Sequence, residues 1–303
     1  MTRQGEAALH GWLVIDKPYG MSSARAVALV RRSSGAKKVG HAGTLDPLAT
    51  GVLPLALGEA TKTVQFAAAG QKRYRFRIRW GEARDTDDRE GAVVAESAAR
   101  PDATAIAAVL ARFTGSIRQV PPAFSALKIG GRRAYALARA GKPPDLAARP
   151  VEIAELRLIG MPDTDHADFD AMVGGGTYIR ALARDLAEAL GTLGHIAELR
   201  RLAVGGFAES LAISLDSAVA LGHSLAASEH LLPIETALDD IPALALTAAE
   251  AARLRHGQLV TPHDAPLDDF ADGTIVGARL DQLVVGLARI EKGCLRPVRI
   301  INR

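Results

Sequence analysis

Gly40-His41-Ala42-Gly43-Thr44-Leu45-Asp46-Pro47-Leu48-Ala49-Thr50-Gly51 packs three glycines and a proline into twelve residues. Such a run demands a tightly shaped backbone, and it contains one carboxylate, Asp46, held against a proline. An Asp-Pro turn alone would account for that dipeptide. Leu45 and Leu48, however, should draw the loop toward the body of the protein. A carboxylate carried inward needs a cation or several hydrogen-bond donors. No Lys follows the second glycine, so the run is neither a phosphate-cradling P-loop nor a dinucleotide fingerprint.

The flanks of this loop read as regular structure. Upstream, residues 11–16 form a short strand that ends in the turn Lys17-Pro18-Tyr19-Gly20. Ser22 or Ser23 then offers an N-cap for a helix over 24–32. Downstream come a strand over 52–57 and a helix over 61–68. Further strands are expected over 73–80, 151–159 and 168–173, with helices over 103–113 and 178–190. The elements do not alternate as in a doubly wound sheet. Their hairpin-like spacing predicts an α+β body on a mixed, largely antiparallel sheet. Near 238–242 the texture changes to a helix over 247–256 and short β runs over 273–280, 283–290 and 295–301. The expected division is a body over 1–240 and a small β-rich domain over 241–303.

Lys72-Arg73-Tyr74-Arg75-Phe76-Arg77-Ile78-Arg79-Trp80 alternates strictly with period two. Four arginines line one face, as a solvated edge guard or a phosphate track. Tyr74 falls on the buried face, where its hydroxyl should need a partner. The acidic run after it, Asp85, Asp87 and Asp88, is spaced like a calcium loop but lacks that motif's central Gly and closing Glu. In Gly174-Gly175-Gly176-Thr177-Tyr178-Ile179-Arg180, Thr177 is the expected N-cap, and Arg180 falls in the first helical turn. A cation there opposes the helix dipole at about 0.3–1 kcal/mol, so it implies a carboxylate partner elsewhere. Asp46 is the candidate. Arg184 is expected to pair with Glu188 on the outer face.

Composition narrows the function. The 303 residues are 48% apolar and 23% charged, which excludes a disordered chain. The longest apolar stretches, 52–57 and 241–249, are far short of the roughly 18–20 residues of a membrane helix. Met1–His10 shows no apolar signal core, and the lone Cys294 can form neither an internal disulfide nor a zinc cluster. A cytoplasmic protein is expected. The net charge is only +3, but residues 118–150 carry seven cations against one anion, Asp145, for a local net of +6. Together with its Pro and Gly content this predicts a basic loop with a short helix near 134–140, suited to RNA phosphates or simply solvated. Aromatic residues at 4% argue against base-stacking platforms. The eight histidines show no metal-ligand spacing, and no Gly-x-Ser-x-Gly elbow is present.

Taken together, these motifs closely resemble the TruB family of tRNA pseudouridine synthases. The resemblance runs through Asp16-Lys17-Pro18 with Gly20 and Ser22, Gly40–Gly51, Lys72-Arg73-Tyr74, and Val120-Pro121-Pro122 through Ser125-Ala126-Leu127-Lys128. It continues in Gly176–Arg180 with Asp185-Leu186 and in Leu199-Arg200-Arg201-Leu202, covering roughly 10–210. Phe124 stands where the family often has Tyr, and Ala187 where it often has Gly. More weakly, the tail resembles a PUA-type RNA-binding domain. The resemblance implies a pseudouridine synthase body in which 118–150 is a thumb closing on the T stem-loop of tRNA. It implies conversion of uridine 55 to pseudouridine with no cofactor, no metal and no obligate protein partner, by a monomer. It assigns the nucleophile to Asp46, acting at C1′, at C6 of the base, or through a glycal route. Arg180 would pair with that carboxylate, and Tyr74 would stack on the flipped base and serve as general base at the sugar. His41 would displace T-loop nucleotides, and Lys17, Tyr178, Leu199, Lys128, Arg132 and Arg133 would contact substrate. Two alternatives share these motifs: an RNA-folding module with a vestigial pocket, and a guide-RNA-dependent synthase resembling dyskerin.

Overall fold

A computed structural model describes residues 9–303 apart from 126, 130, 142–143 and 264–266; at 128–129, 132–133, 136 and 268 it describes the backbone alone. The chain forms two compact units that interleave in sequence. One takes the chain up to Leu45, Val52–Ala68 and Val204–Arg303; the other takes Asp46–Gly51 and Ala69–Ala203.

The first unit opens with β1 (Gly11–Lys17) and α1 (Ser23–Ser34). Ser22 is the cap: its hydroxyl accepts from the Arg25 amide, and Gly35 ends the helix at a φ of 69°. Ser23, the other candidate, has a different role. Its buried Oγ accepts from the Leu45 amide at 2.8 Å and donates to the Leu45 carbonyl at 3.0 Å. The residue before Asp46 is thereby stapled to α1. Ser23→Ala leaves both Leu45 groups unsatisfied, at about 1–3 kcal/mol each. Thermal unfolding of Ser23→Ala should therefore show a clear loss of stability, and an unchanged midpoint would remove the staple.

β2 (Thr50–Leu57) follows, with the short Val39–His41 strand antiparallel to it. Trp12 and Val14 of β1 and Val52 and Ala56 of β2 share one apolar cluster with Phe207, Ile234 and Leu238. Lys17 is fully buried, and its ammonium donates to the carbonyls of Pro18 at 2.8 Å and Met21 at 2.7 Å. Its charge helps shape the turn that leads to α1.

In the second unit β3 (Lys72–Trp80), β4 (Gly115–Gln119), β5 (Arg149–Asp163), β6 (His166–Val173) and β7 (Gly194–Val204) form a sheet in the order β7-β3-β6-β5-β4. The pairings of β3 with β6, β6 with β5 and β5 with β4 are antiparallel. The apolar face of β3 is buried as its alternation requires, and Phe76 stacks on Phe169 at 5.4 Å. Its arginine face is neither an edge nor a free phosphate track. Arg73 pairs with Asp170, Arg77 with Asp168 and Arg79 with Glu82 at 2.6–2.8 Å. The sheet neutralises its own cations. The β7 strand, which no local pattern predicts, runs parallel to the start of β2, setting Arg200 opposite Thr50 and Arg201 opposite Gly51. A Cβ on Gly51, at a φ of 99°, would lie 2.2 Å from the Arg201 carbonyl, so glycine is required where the Asp46 loop ends.

The basic insertion leaves β4 and returns at β5, where Gln119 faces Arg149 across the ladder. It contains a two-residue hairpin, Lys128–Ile129 with Arg132–Arg133, and a helix over Ala134–Arg139. After β6, α2 (Ile179–Ala189) carries an apolar face that buries Leu182 and Leu186.

The C-terminal segment returns to the first unit. β8 (Ala243–Ala245), α3 (Ala248–Arg255), β9 (Ile275–Leu280), β10 (Leu283–Glu291) and β11 (Cys294–Ile300) follow, and the four strands make a sheet in the order β8-β9-β10-β11. Leu254, Val276, Val285 and Leu295 form its own core. Val284 and Leu287 of β10 instead join the cluster around Trp12. The β-rich tail thus packs as part of the N-terminal unit. Among the described residues, no helix is long and apolar enough to cross a membrane.

Candidate active site

Asp46 and Arg180, separated by 134 residues, meet in the second unit. The Arg180 Nε donates to Asp46 Oδ2 at 2.9 Å. The Arg180 side chain is only 3% exposed, whereas that of Asp46 is 37% exposed. The cation is therefore enclosed by protein while the carboxylate remains partly open. The loop around Asp46 follows the expected physics: Leu45 and Leu48 are buried, and the Ala49 amide closes a turn onto the Asp46 carbonyl at 3.1 Å.

Every edge of the guanidinium is used. Arg180 Nη1 donates to the Thr86 carbonyl at 2.7 Å and Nη2 to the Phe124 carbonyl at 2.9 Å, while Asp88 Oδ2 stands 3.6 Å from Nε. A planar fork held from three directions has one orientation, which fixes where Asp46 is met. Because the Phe124 contact is through its carbonyl, Arg180 does not read the ring in place of a phenol.

The acidic run that lacked the calcium pattern is thus the support of this arginine. Asp88, buried, accepts from Thr86 Oγ1 at 2.6 Å and from the Glu90 amide at 3.0 Å. Asp87 sits at a left-handed φ of 58° and accepts from Arg184 Nη1 at 3.0 Å. The expected Arg184–Glu188 pair is not formed. Arg184 turns instead to Asp87, to Asp185 at 2.8 Å and to the Val120 carbonyl at 2.8 Å. Partly desolvated carboxylates and a nearby carbonyl hold a guanidinium better than an exposed helix-surface acid does.

Burial pushes the Asp87 carboxyl up to about 6, against the pull of Arg184 and Arg180. A carboxyl raised in the folded state stabilises the fold below its unfolded value near 3.8, and that contribution is lost as pH rises through 6. Relative to Asp87→Asn, the wild-type protein should therefore gain stability between pH 7 and pH 5 in urea unfolding. A difference independent of pH would contradict the shift.

The root of the insertion grips the start of α2. Thr177 is not the cap; its hydroxyl lies 3.4 Å from the Glu152 carbonyl, and Tyr178 occupies the cap position without a side-chain cap bond. Buried Gln119 replaces it from β4, accepting from the Tyr178 amide at 2.8 Å and donating to the Tyr178 carbonyl at 3.1 Å. The Arg149 guanidinium lies over the Tyr178 ring at 5.3 Å and donates to the Gly176 carbonyl.

The remaining expected residues are dispersed. Tyr74 is on the buried face of β3, opposite Ala171, and 7% exposed. Among the described residues its hydroxyl has no protein partner, contrary to expectation, and no bond joins it to Asp46 or Arg180. Leu199 is buried on β7. His41 ends the short strand opposite Leu55, in the first unit. The side chains of Lys128, Arg132 and Arg133 lie outside the described residues. Among those described, no group of His, Cys, Asp and Glu is arranged to hold a metal.

Two family models match the chain. One, described as TruB family pseudouridylate synthase (N terminal domain), covers residues 31–179; the other, described as tRNA pseudouridylate synthase B C-terminal domain, covers 180–239. The chain is 54% identical over 304 residues to the tRNA pseudouridine synthase B of Rhodospirillum rubrum, across 99% of this chain and 98% of that one. It is 48% identical over 301 residues to that of Caulobacter vibrioides, across 97% of each. Among solved structures, the fold is similar to that in a Cbf5-Nop10-Gar1 complex, with a TM-score of 0.76 at 24% identity over 97% of this chain and 85% of that one.

Proposed function

The chain belongs to the TruB family of pseudouridylate synthases, and from that membership we propose that it isomerises uridine 55 in the T loop of tRNA, with Asp46 as nucleophile. The observation that carries this reading is the partly open Asp46 carboxylate set against a guanidinium anchored on three sides. A nucleophile held in one place by a group that cannot itself move needs little reorganisation at the moment of reaction.

The reaction breaks the N1–C1′ bond, turns the freed uracil and forms a C5–C1′ bond. C5 gives up a proton to solvent and N1 ends with one, so the composition of the nucleotide is unchanged. Attack at C1′, attack at C6 and assistance of a glycal route all begin from the same placed carboxylate. The flipped base would lie against Tyr74, whose ring is held in β3 and whose hydroxyl is left for the substrate, as a general base at the sugar requires. Tyr178 and Leu199 would line the same pocket, and His41 would hold the loop nucleotides apart. Extruding the base costs a few kcal/mol, least where the loop is only partly stacked.

The 118–150 insertion would close on the RNA as a thumb, with Lys128, Arg132 and Arg133 on phosphates. Its root already touches the catalytic arginine through the Phe124 carbonyl, so thumb position and Arg180 are physically linked. The tail over 241–303 would serve as a PUA-like RNA-binding surface on a body over 1–240. The enzyme would act in the cytoplasm as a monomer, on tRNA alone, without a cofactor.

The test is a pair of unmodified tRNA transcripts differing only at position 55, uridine or cytidine. Pseudouridine should form in the first and not in the second. Equal formation in both would refute the site assignment.

A further inference from the structure

A second positive surface lies on α1 and the turn that follows it. From Lys17 to Leu45 the chain contains Lys17, Arg25, Arg31, Arg32, Lys37 and Lys38 and not one Asp or Glu. Lys17 is buried, but the other five reach the surface. Among the described residues, none of these five is paired with a carboxylate. Arg31 and Arg32 have an internal reason for their place, since cations in the last turn of a helix complement its dipole. Arg25 does not. It is the third residue of the first turn, where it opposes the dipole, and that turn contains no acid.

The same protein shows how it treats such cations when they serve the fold. Arg180, equally misplaced at the start of α2, is met by Asp46 and Asp88. The arginine face of β3 is neutralised by Asp168, Asp170 and Glu82. On α1, by contrast, the cluster stands without internal counter-charge among the described residues. That leaves the cluster free to meet an anion from outside the chain.

We propose that the α1 face, Arg25, Arg31 and Arg32 with Lys37 and Lys38, binds the phosphodiester backbone of the RNA substrate, separately from the thumb. The proposal rests on the substrate being RNA, as proposed for the active site. Arg25 and Arg32 are two helical turns apart, about 10.5 Å along one side of α1, and both reach solvent. Gly35, in the left-handed conformation, ends α1, exposed Lys37 and Lys38 follow it, and the Gly58 amide fixes the Lys38 carbonyl at 2.9 Å. Residues 22–38 contain no aromatic side chain to stack on a base. The surface therefore contributes affinity and salt dependence without reading sequence.

Binding of an unmodified tRNA transcript to the full chain, measured over about 0.05–0.3 M salt, tests this. In the variant Arg25→Gln/Arg32→Gln/Lys37→Gln/Lys38→Gln, the slope of log affinity against log salt should become shallower by about 0.7–0.9 for each phosphate no longer neutralised. Affinity near 0.1 M salt should drop roughly tenfold or more. The charge-preserving variant Arg25→Lys/Arg32→Lys should retain the wild-type slope, which separates removal of charge from a damaged helix. An unchanged slope in the neutral variant overturns the proposal. C5 proton release by the wild-type protein on the same transcript is recorded alongside. Its absence would sink the enzymatic reading, while the slopes would still report on the α1 surface.

Discussion

Asp46→Asn should abolish pseudouridine formation, a loss on the order of 10⁴-fold or more, while tRNA affinity stays near that of the wild type. The substitution is nearly isosteric, and an amide oxygen can still accept the 2.9 Å hydrogen bond from Arg180 Nε. The turn closed by the Ala49 amide uses only the Asp46 backbone, and Leu45 and Leu48 still anchor the loop. What disappears is the charge and the oxygen proposed as nucleophile, so the expected loss belongs to the chemical step. The readouts are single-turnover pseudouridine formation and the tRNA dissociation constant. A near-normal rate would assign the nucleophile elsewhere, and a parallel collapse of affinity would make Asp46 a binding residue.

Arg180→Met comes second in size. Removing a preorganised charged donor from beside a reacting group costs roughly 10²–10³-fold in rate, about 3–4 kcal/mol of barrier. Here the loss is compounded, because the Thr86 and Phe124 carbonyls lose their donor together with Asp46. Arg180→Lys should recover only a fraction of the rate, since a single ammonium cannot face Asp46, Thr86 and Phe124 at once. Single-turnover rates for both variants, with thermal midpoints to show that each folds, decide the matter. A Met variant within about threefold of the wild-type rate would remove the ion pair from catalysis.

The Asp46–Arg180 pair is legible in the amino-acid sequence because two local conflicts point at one another. A carboxylate is drawn inward between Leu45 and Leu48, and a cation stands at the wrong end of a helix dipole. Strict alternation likewise exposes β3, and the strands of the tail read cleanly from its short β runs. What stays hidden depends on partners distant along the chain. The acidic run at 85–88 is explained by Arg180 and Arg184, which arrive about a hundred residues later. Gln119 caps α2 from another strand, which no local capping rule reveals. The β7 strand is obscured because His195 and Arg201 are among its buried side chains, so its inward face does not read as apolar. The burial of Lys17 is hidden for a related reason: the two backbone carbonyls that make it tolerable belong to the shape of the turn.

The most direct test of the central claim is tritium release from C5-labelled, unmodified tRNA transcript by the purified wild-type protein, with no guide RNA, protein partner or cofactor added. Release approaching one equivalent per tRNA, traced to uridine 55, is the predicted result. Tight tRNA binding with no release would contradict it.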